Sequence, residues 1–193
     1  MNSDVAKIIR RILKDIQVEM GDEFDRNFER QAFFSEAWAR RKSPTRPGGS
    51  ILIDTGNLRK SIGSRMTENS IVFYTTLPYA AIHNAGGEIV VTARMKRYFR
   101  AKFYEAQGGF GRKKGNNKRT LSDGGFYAWT SKMSLTPEAE FWRFMALKKE
   151  GSTIKIPRRQ FLGTSPEVEQ AVREIIEENI TEYFNVEFTV KRR

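Results

Sequence analysis

Residues 77–89 read Leu77-Pro-Tyr-Ala-Ala-Ile-His-Asn-Ala-Gly-Gly-Glu-Ile89 and contain the single histidine of the chain, His83. Pro78 suits the first turn of a helix, because the N–H that it lacks would have no partner there. Gly86 suits the left-handed residue that ends a helix. The run therefore predicts the end of a strand, one short helix that carries His83, a glycine stop and a new strand.

The segments around this run predict the fold class. Residues 4–40 have apolar side chains at three- and four-residue spacing, which is typical of a helix, although Gly21 could interrupt it. A second such helix starts at Ser165-Pro166 and ends near Tyr183, and four short segments resemble strands: 70–77, 87–92, 153–157 and 186–190. The sequence predicts an α+β fold, with a small, mainly antiparallel sheet packed against the N- and C-terminal helices.

Shorter helices are predicted between these elements. Asp54 or Thr55 can cap a helix over residues 57–62. Composition favours two more helices, at 95–106 and 137–149.

The composition is that of a globular protein with a basic surface. Hydrophobic residues make up 39% of the 193 residues, and Lys and Arg outnumber Asp and Glu by 34 to 23, for a formal charge of +11. Such a charge favours contact with nucleic acid, an anionic surface or an acidic protein. The chain has no cysteine and hence no disulfide framework. Residues 1–16 break their apolar positions with charges, so we expect neither a signal peptide nor a membrane span there.

Catalytic chemistry would have to use His83, because no other imidazole is present, and nothing in the sequence places Asp54 or a serine beside it. One histidine without cysteine argues against a zinc site, whereas the scattered carboxylates leave a magnesium site open. The glycine-rich run 108–115, GGFGRKKG, lacks the spacing of a phosphate-binding loop. We therefore expect no catalytic, cofactor-binding or metal-binding residues, and we expect His83 to pack in a turn.

Positive charge is concentrated in residues 94–119. MKRYFRAKFY at 95–104 interleaves aromatic and basic residues, a combination that can contact phosphates and stack on bases. Glycines throughout 108–125 predict a flexible loop. The candidate nucleic-acid or interface contacts are Arg112, Lys113, Lys114, Lys118 and Arg119. A basic nucleic-acid-binding module is therefore the alternative function, ahead of an enzyme of unknown type.

Three short motifs carry a resemblance to a known family. They are LIDTGNLRKSI at 52–62, YAAIHNAGGEI at 79–89 and IPRRQFLG at 156–163, followed by the last predicted helix. In this order they resemble the virion morphogenesis, or tail completion, proteins of Mu-like phages. The resemblance covers residues 1–92 and 154–190. Because the shorter members lack a counterpart of residues 93–153, we expect a single domain over residues 1–193 with an insertion at 93–153.

The resemblance implies a structural, non-enzymatic protein that completes the tail or the head–tail junction by ring-like self-assembly. Its partners would be further copies of itself and other tail or connector proteins, with non-specific DNA contact open and no membrane. It would act in the cytoplasm of the bacterial host and then remain in the virion. The motifs would form structural turns, and the turn residues would be Thr55, Gly56, His83, Gly86 and Gly87.

Overall fold

A computed structural model describes residues 3–108 and 123–184. Its helices are α1 (Ser3–Arg30), α2 (Asn57–Lys60), α3 (Ala80–Ala85), α4 (Ala93–Ala106), α5 (Asp123–Thr130), α6 (Pro137–Leu147) and α7 (Pro166–Tyr183). Its strands are β1 (Ala32–Phe33), β2 (Glu36–Ala37), β3 (Ile62–Met66), β4 (Ile71–Thr75), β5 (Gly87–Val90) and β6 (Thr153–Ile156). The predicted α+β class is confirmed.

Helix α1 is shorter than the apolar pattern predicts. It continues through Gly21 without a break but ends at Arg30, ten residues before the predicted end. Gln31 has a left-handed φ of 54°, which turns the chain back on itself. The backbone N–H of Trp38 then donates to the Gln31 carbonyl at 2.9 Å. Residues predicted to be helical therefore form the β1–β2 hairpin, in which Phe33 is buried.

Strand β4 lies in its predicted place, but its partner was predicted incorrectly. Ile62 was expected to end a helix, whereas it begins β3 and pairs with Thr75 in an antiparallel hairpin that extends to Met66 and Ile71. The helix before it, α2, is a single turn. A short apolar run has no strong local preference, so the pairing with β4 decides its conformation.

The two long terminal helices pack as expected. Ser165 caps α7, since its hydroxyl accepts a hydrogen bond from the Val168 N–H at 3.3 Å. One buried cluster joins α1, α7 and the β1 strand, with Ile71 and Phe73 of β4 packed against it. Its buried members are Ile16, Met20, Phe24, Phe33, Val168 and Ile175. Packing of antiparallel strands against the N- and C-terminal helices is thus confirmed.

The strands do not join into one sheet. The part of the chain that is described contains three separate two-stranded antiparallel sheets, β1–β2, β3–β4 and β5–β6. In the third, Gly87 faces Ile156 and Val90 faces Thr153. The strand predicted at 186–190 lies outside the described residues.

The chain divides into two compact units. Unit 1 contains Met1–Ala39, Ser50–Ala85 and Arg158–Arg193, and unit 2 contains Arg40–Gly49 and Gly86–Pro157. The α1–α7 cluster and the β3–β4 hairpin belong to unit 1. The β5–β6 pair and helices α4, α5 and α6 belong to unit 2.

Unit 2 has its own aromatic core. Phe103 and Phe126 are fully buried with ring centroids 5.2 Å apart, and Ala139 and Ala146 of α6 are equally buried beside them. Helix α5 was not predicted, because its first turn contains Gly124 and Gly125. Burial of Phe126 stabilises it despite this low helix propensity.

Helix α5 is also held by charge at its first residue. Asp123 receives a hydrogen bond from Lys96 and another from Arg100 at 2.5 Å. These contacts lower the pKa of Asp123, chiefly through the Lys96 ammonium.

Residues 3–108 and 123–184 contain neither a candidate membrane span nor a metal-binding cluster. No helix there is long and apolar enough to cross a membrane. Nor do His, Asp and Glu side chains in these ranges gather into a group that could hold a metal ion.

Replacement of Gly21 by alanine should stabilise the protein. The added Cβ would lie 3.9 Å from Phe73 Cε1, an ordinary contact, and alanine in a helix interior is favoured over glycine by roughly 0.5–1 kcal/mol. Gly86→Ala is the matched control, since φ is 72° at Gly86 and a left-handed alanine costs about 1–2 kcal/mol. Urea unfolding of both variants measures the two effects. A destabilised Gly21→Ala protein would contradict the prediction.

Candidate functional site

The three sequence motifs meet in one buried cluster of unit 1. Leu58 of the first motif, Ala80 of the second and Phe161 of the third are 4%, 2% and 1% exposed. They pack in the same cluster as Phe28 of α1 and Trp38. Segments that are up to about a hundred residues apart in sequence therefore share one core.

Aromatic side chains form the centre of this cluster. The Phe28 ring lies 5.5 Å from the Trp38 ring and 5.4 Å from the Phe161 ring, measured between centroids. The indole N–H of Trp38 donates to the Gln160 carbonyl at 2.6 Å, which satisfies a buried polar group. Trp38 thus joins the β1–β2 hairpin to the third motif. Sequence reasoning missed it, because it was assigned to the end of a helix.

Asn84 links the second motif to the third. Its Oδ1 accepts hydrogen bonds from the N–H groups of Phe161 and Leu162 at 2.9 and 3.0 Å. Its Nδ2 donates to the Leu162 carbonyl at 2.9 Å. One amide side chain therefore makes three hydrogen bonds to the backbone of a segment 77 residues away. No local signal identifies this role, because the partners of Asn84 are distant in sequence.

His83 lies beside this link and is half-buried. Its carbonyl accepts a hydrogen bond from the Arg159 N–H at 2.8 Å. Its ring packs edge-on against Tyr79, with centroids 6.2 Å apart, and its Nδ1 has no hydrogen-bond partner among the described residues. Burial, together with the positive charge of Arg159, lowers the pKa of His83. The imidazole is therefore held neutral in a packed turn.

The glycines of the motifs have the backbone angles that their positions require. Gly86 has φ 72° and ends α3, as predicted. Gly87 has φ 148° and begins β5, and Gly56 has φ 78° at the N-cap of α2. Neither Asp54 nor Thr55 occupies that cap position, although the Thr55 hydroxyl accepts a long hydrogen bond of 3.4 Å from the Asn57 N–H.

Arg59 fastens the first motif to α1. Its guanidinium donates to both carboxylate oxygens of Asp25, with Nε to Oδ1 at 2.5 Å, and to Glu29 Oε1 at 2.7 Å. The hydrogen bonds from Arg59 lower the pKa of Asp25, and those from the two carboxylates raise the pKa of Arg59. Since Leu58 is buried next to it, the single turn of α2 is held by one apolar and one ionic contact.

The basic residues of the segment 94–119 fall into two groups. Arg112, Lys113, Lys114, Lys118 and Arg119 lie outside the described residues, so their role stays a prediction. Within α4 the cations have different environments. Arg94 and Arg97 are exposed, whereas Lys96 and Arg100 bind Asp123.

We expect Asn84→Ala to destabilise unit 1 by about 1–3 kcal/mol, because it leaves the N–H groups of Phe161 and Leu162 without their acceptor. Asn84→Asp keeps the acceptor but replaces the donor with an anionic oxygen that faces the Leu162 carbonyl, so it should also be destabilising. Asn69→Ala, at an exposed turn, is the control and should be nearly neutral. Chemical denaturation of the three variants compares them, and equal stabilities for Asn84→Ala and Asn69→Ala would contradict the proposed link.

A second expectation concerns acid stability. Because the folded state lowers the pKa of His83, the unfolded chain binds a proton more readily. The resulting stabilisation is complete above the ordinary histidine pKa of about 6.5 and is lost as pH falls below it. His83→Gln should remove the loss of stability that protonation of histidine causes. The loss caused by protonation of carboxylates remains and starts nearer pH ~4. Free energies of unfolding at pH 7.5 and 5.5 test this, and an unchanged pH difference in His83→Gln would refute it.

Comparison with family models gives a match to the phage virion morphogenesis family over residues 5–121. The matched range contains the first two motifs and not the third, which the structure nevertheless joins to them through Asn84 and Phe161. Comparison with curated proteins and with solved structures finds no match. The match covers more than half of the chain and agrees with the motifs that meet in unit 1, and the protein therefore belongs to the phage virion morphogenesis family.

Proposed function

We propose that this protein is a structural component that completes the phage tail, or its junction with the capsid, by assembling into a ring. Family membership carries the proposal, because a virion morphogenesis role requires contact with other virion proteins. Head-to-tail contacts between identical subunits close into a ring when the rotation between them permits it. The protein would act in the host cytoplasm during assembly and remain in the finished particle.

The arrangement of the motifs supports a structural role rather than an enzymatic one. Each motif contributes a buried side chain to one cluster, and the amide of Asn84 hydrogen-bonds to backbone groups. His83 has a lowered pKa and packs against Tyr79. These residues hold separate segments together, which is what a rigid assembly subunit needs.

We also propose that residues 93–153 are an insertion into the family domain, although the family match runs to residue 121 and so includes the first part of this region. Antiparallel strands flank this region closely, β5 ending at Val90 and β6 starting at Thr153, and the two residues are register partners. The chain therefore enters and leaves this region at neighbouring positions of the β5–β6 pair. An insertion with adjacent ends disturbs its host domain little.

A non-specific contact with nucleic acid is the second candidate function. Unit 2 contains 19 Lys and Arg against 6 Asp and Glu, a net charge of +13. Such a charge attracts phosphates without reading sequence, and the attraction weakens as salt rises. Within a virion it would suit a surface facing the DNA channel.

A phage that lacks this gene should make capsids and tails but few joined, infectious particles. Electron microscopy of lysates, with plaque counts, measures the defect. Supplying the wild-type gene in trans should restore joined particles, and a His83→Gln copy should restore them to within a few-fold. Normal infectious virions from the deletion phage would refute the assembly role.

A further inference from the structure

Charge is distributed very unequally between the two units. Unit 1 contains 15 Lys and Arg against 17 Asp and Glu, for a net charge of −2, whereas unit 2 has a net charge of +13. Helix α7 carries six carboxylates and one arginine, Arg173. A protein with an overall charge of +11 therefore has a markedly acidic helix on unit 1.

A groove runs between α1 and α7 on unit 1. It consists of two clefts with cavity volumes of about 710 and 750 Å³, which are continuous because Glu19, Glu174 and Glu178 line both. The first cleft also has an apolar lining, formed by the partly exposed Phe34 and Ala171 and by the edges of the largely buried Met20 and Ile175. An apolar lining between acidic edges suits a partner that combines an apolar ring with a positive charge.

The carboxylates in the middle of this groove lack cationic partners. At its ends, Glu182 pairs with Arg11 at 2.6 Å and Glu23 pairs with Arg30 at 2.5 Å. No basic side chain of the described residues pairs with Glu19, Glu174, Glu177 or Glu178. Close negative charges repel one another, so a cation from outside the unit would be favoured here.

Unit 2 has exposed aromatic rings with positively charged side chains beside them. Tyr127 and Phe144 are 56% and 62% exposed. Arg143 lies over the Tyr127 ring at 5.1 Å, and Lys148 lies over the Phe144 ring at 4.9 Å. Neither cation has a carboxylate partner in the described ranges, and Arg143 Nε is a buried donor without an acceptor there. The two ring–cation pairs adjoin at Arg143 and Phe144, which are consecutive residues of α6, and we call these four residues the aromatic–cation face.

We propose that the α1–α7 groove of one copy binds the aromatic–cation face of a second copy of this chain. Apolar rings would enter the part of the groove lined by Met20, Phe34, Ala171 and Ile175, while Arg143 and Lys148 meet the carboxylates that have no cationic partner, of which Glu174 accepts a hydrogen bond from Gln170 at 2.7 Å. DNA is a poor occupant, because the groove is acidic and would repel phosphates. The proposal rests on the assembly role above and identifies the surfaces that carry it.

Such a contact is heterologous, since the groove and the face are different surfaces. Each subunit keeps one unused groove or face after pairing, so the contact repeats head to tail. Opposite charges across it would speed association at low salt and weaken at ~1 M salt, where the Debye length is about 3 Å.

Two double variants test the α1–α7 groove and the aromatic–cation face separately. Glu174→Lys with Glu178→Lys changes only exposed residues of the groove. Phe144→Ala with Lys148→Ala removes one ring and one charge from the face. Glu36→Lys with Glu68→Lys, both exposed on unit 1 and outside the groove, controls for the added positive charge. Circular dichroism confirms folding before sedimentation velocity measures the size of each protein.

The wild type and the control should form species larger than a dimer at low salt, and the groove and face variants should each be monomeric. An equimolar mixture of these two variants is decisive. The face variant keeps an intact groove and the groove variant keeps an intact face, so together they can form one productive contact. The mixture should therefore give a one-to-one heterodimer and nothing larger.

Several results would overturn the inference. They are a wild type that stays monomeric or stops at a dimer, a groove variant that assembles like the control, and a mixture that forms no heterodimer. Binding of duplex DNA that the face variant loses, with self-association unchanged, would assign the face to nucleic acid instead. The deletion phage tests the assembly role separately, so an assembly defect in cells with a monomeric purified protein would remove only this contact.

Discussion

Burial of Phe161 against Phe28 is the contact on which unit 1 depends. It joins the segment before α7 to the middle of unit 1, and the indole of Trp38 and the amide of Asn84 then bind the backbone on either side of it. A backbone segment that has no sheet partner needs other hydrogen-bond partners when it is buried. Here two side chains supply them. The three motifs, although far apart along the chain, thus pack as one cluster.

That cluster of motifs explains why the glycine turn around His83 has its particular composition. Gly86 provides the left-handed conformation that ends α3, and the short helix places Asn84 toward the third motif. His83 contributes a carbonyl to Arg159 and a ring to Tyr79. A histidine three residues before a glycine pair suggests catalysis at first sight, but its surroundings favour the neutral imidazole and a packing role.

The charged residues are distributed differently between the two units than the residues that form the cores. The α1–α7 cluster of unit 1 combines aromatic and large aliphatic residues and the core of unit 2 combines aromatic residues and alanines. Net negative charge is concentrated on α7 and net positive charge on unit 2. Within a unit, Arg59 and Asp123 show the usual arrangement, in which charges pair locally. The groove carboxylates without a cationic partner, and the cations of the aromatic–cation face without a carboxylate partner, differ from this pattern. Net charge alone would hide that contrast, because it averages an acidic surface with a basic one.

The sequence by itself determined the elements whose signals are local. Apolar spacing placed α7, since a helix buries one face at a fixed period, and composition placed α4 and α6. Pro166 and Ser165 marked the start of α7, and Gly86 marked the end of α3, because each suits a particular backbone position. The three motifs also identified the family, which the model match then confirmed over residues 5–121.

Only the tertiary structure decided the pairings. The end of α1 at Arg30, the strand at Ile62 and helix α5 each follow from distant partners: the Trp38 N–H that binds Gln31, strand β4, and the ring of Phe103. The hydrogen bonds of Asn84 span 77 residues, and the groove needs two helices from opposite ends of unit 1. Local propensity differs by only about 1 kcal/mol between conformations, so burial and long-range hydrogen bonds outweigh it wherever the two disagree.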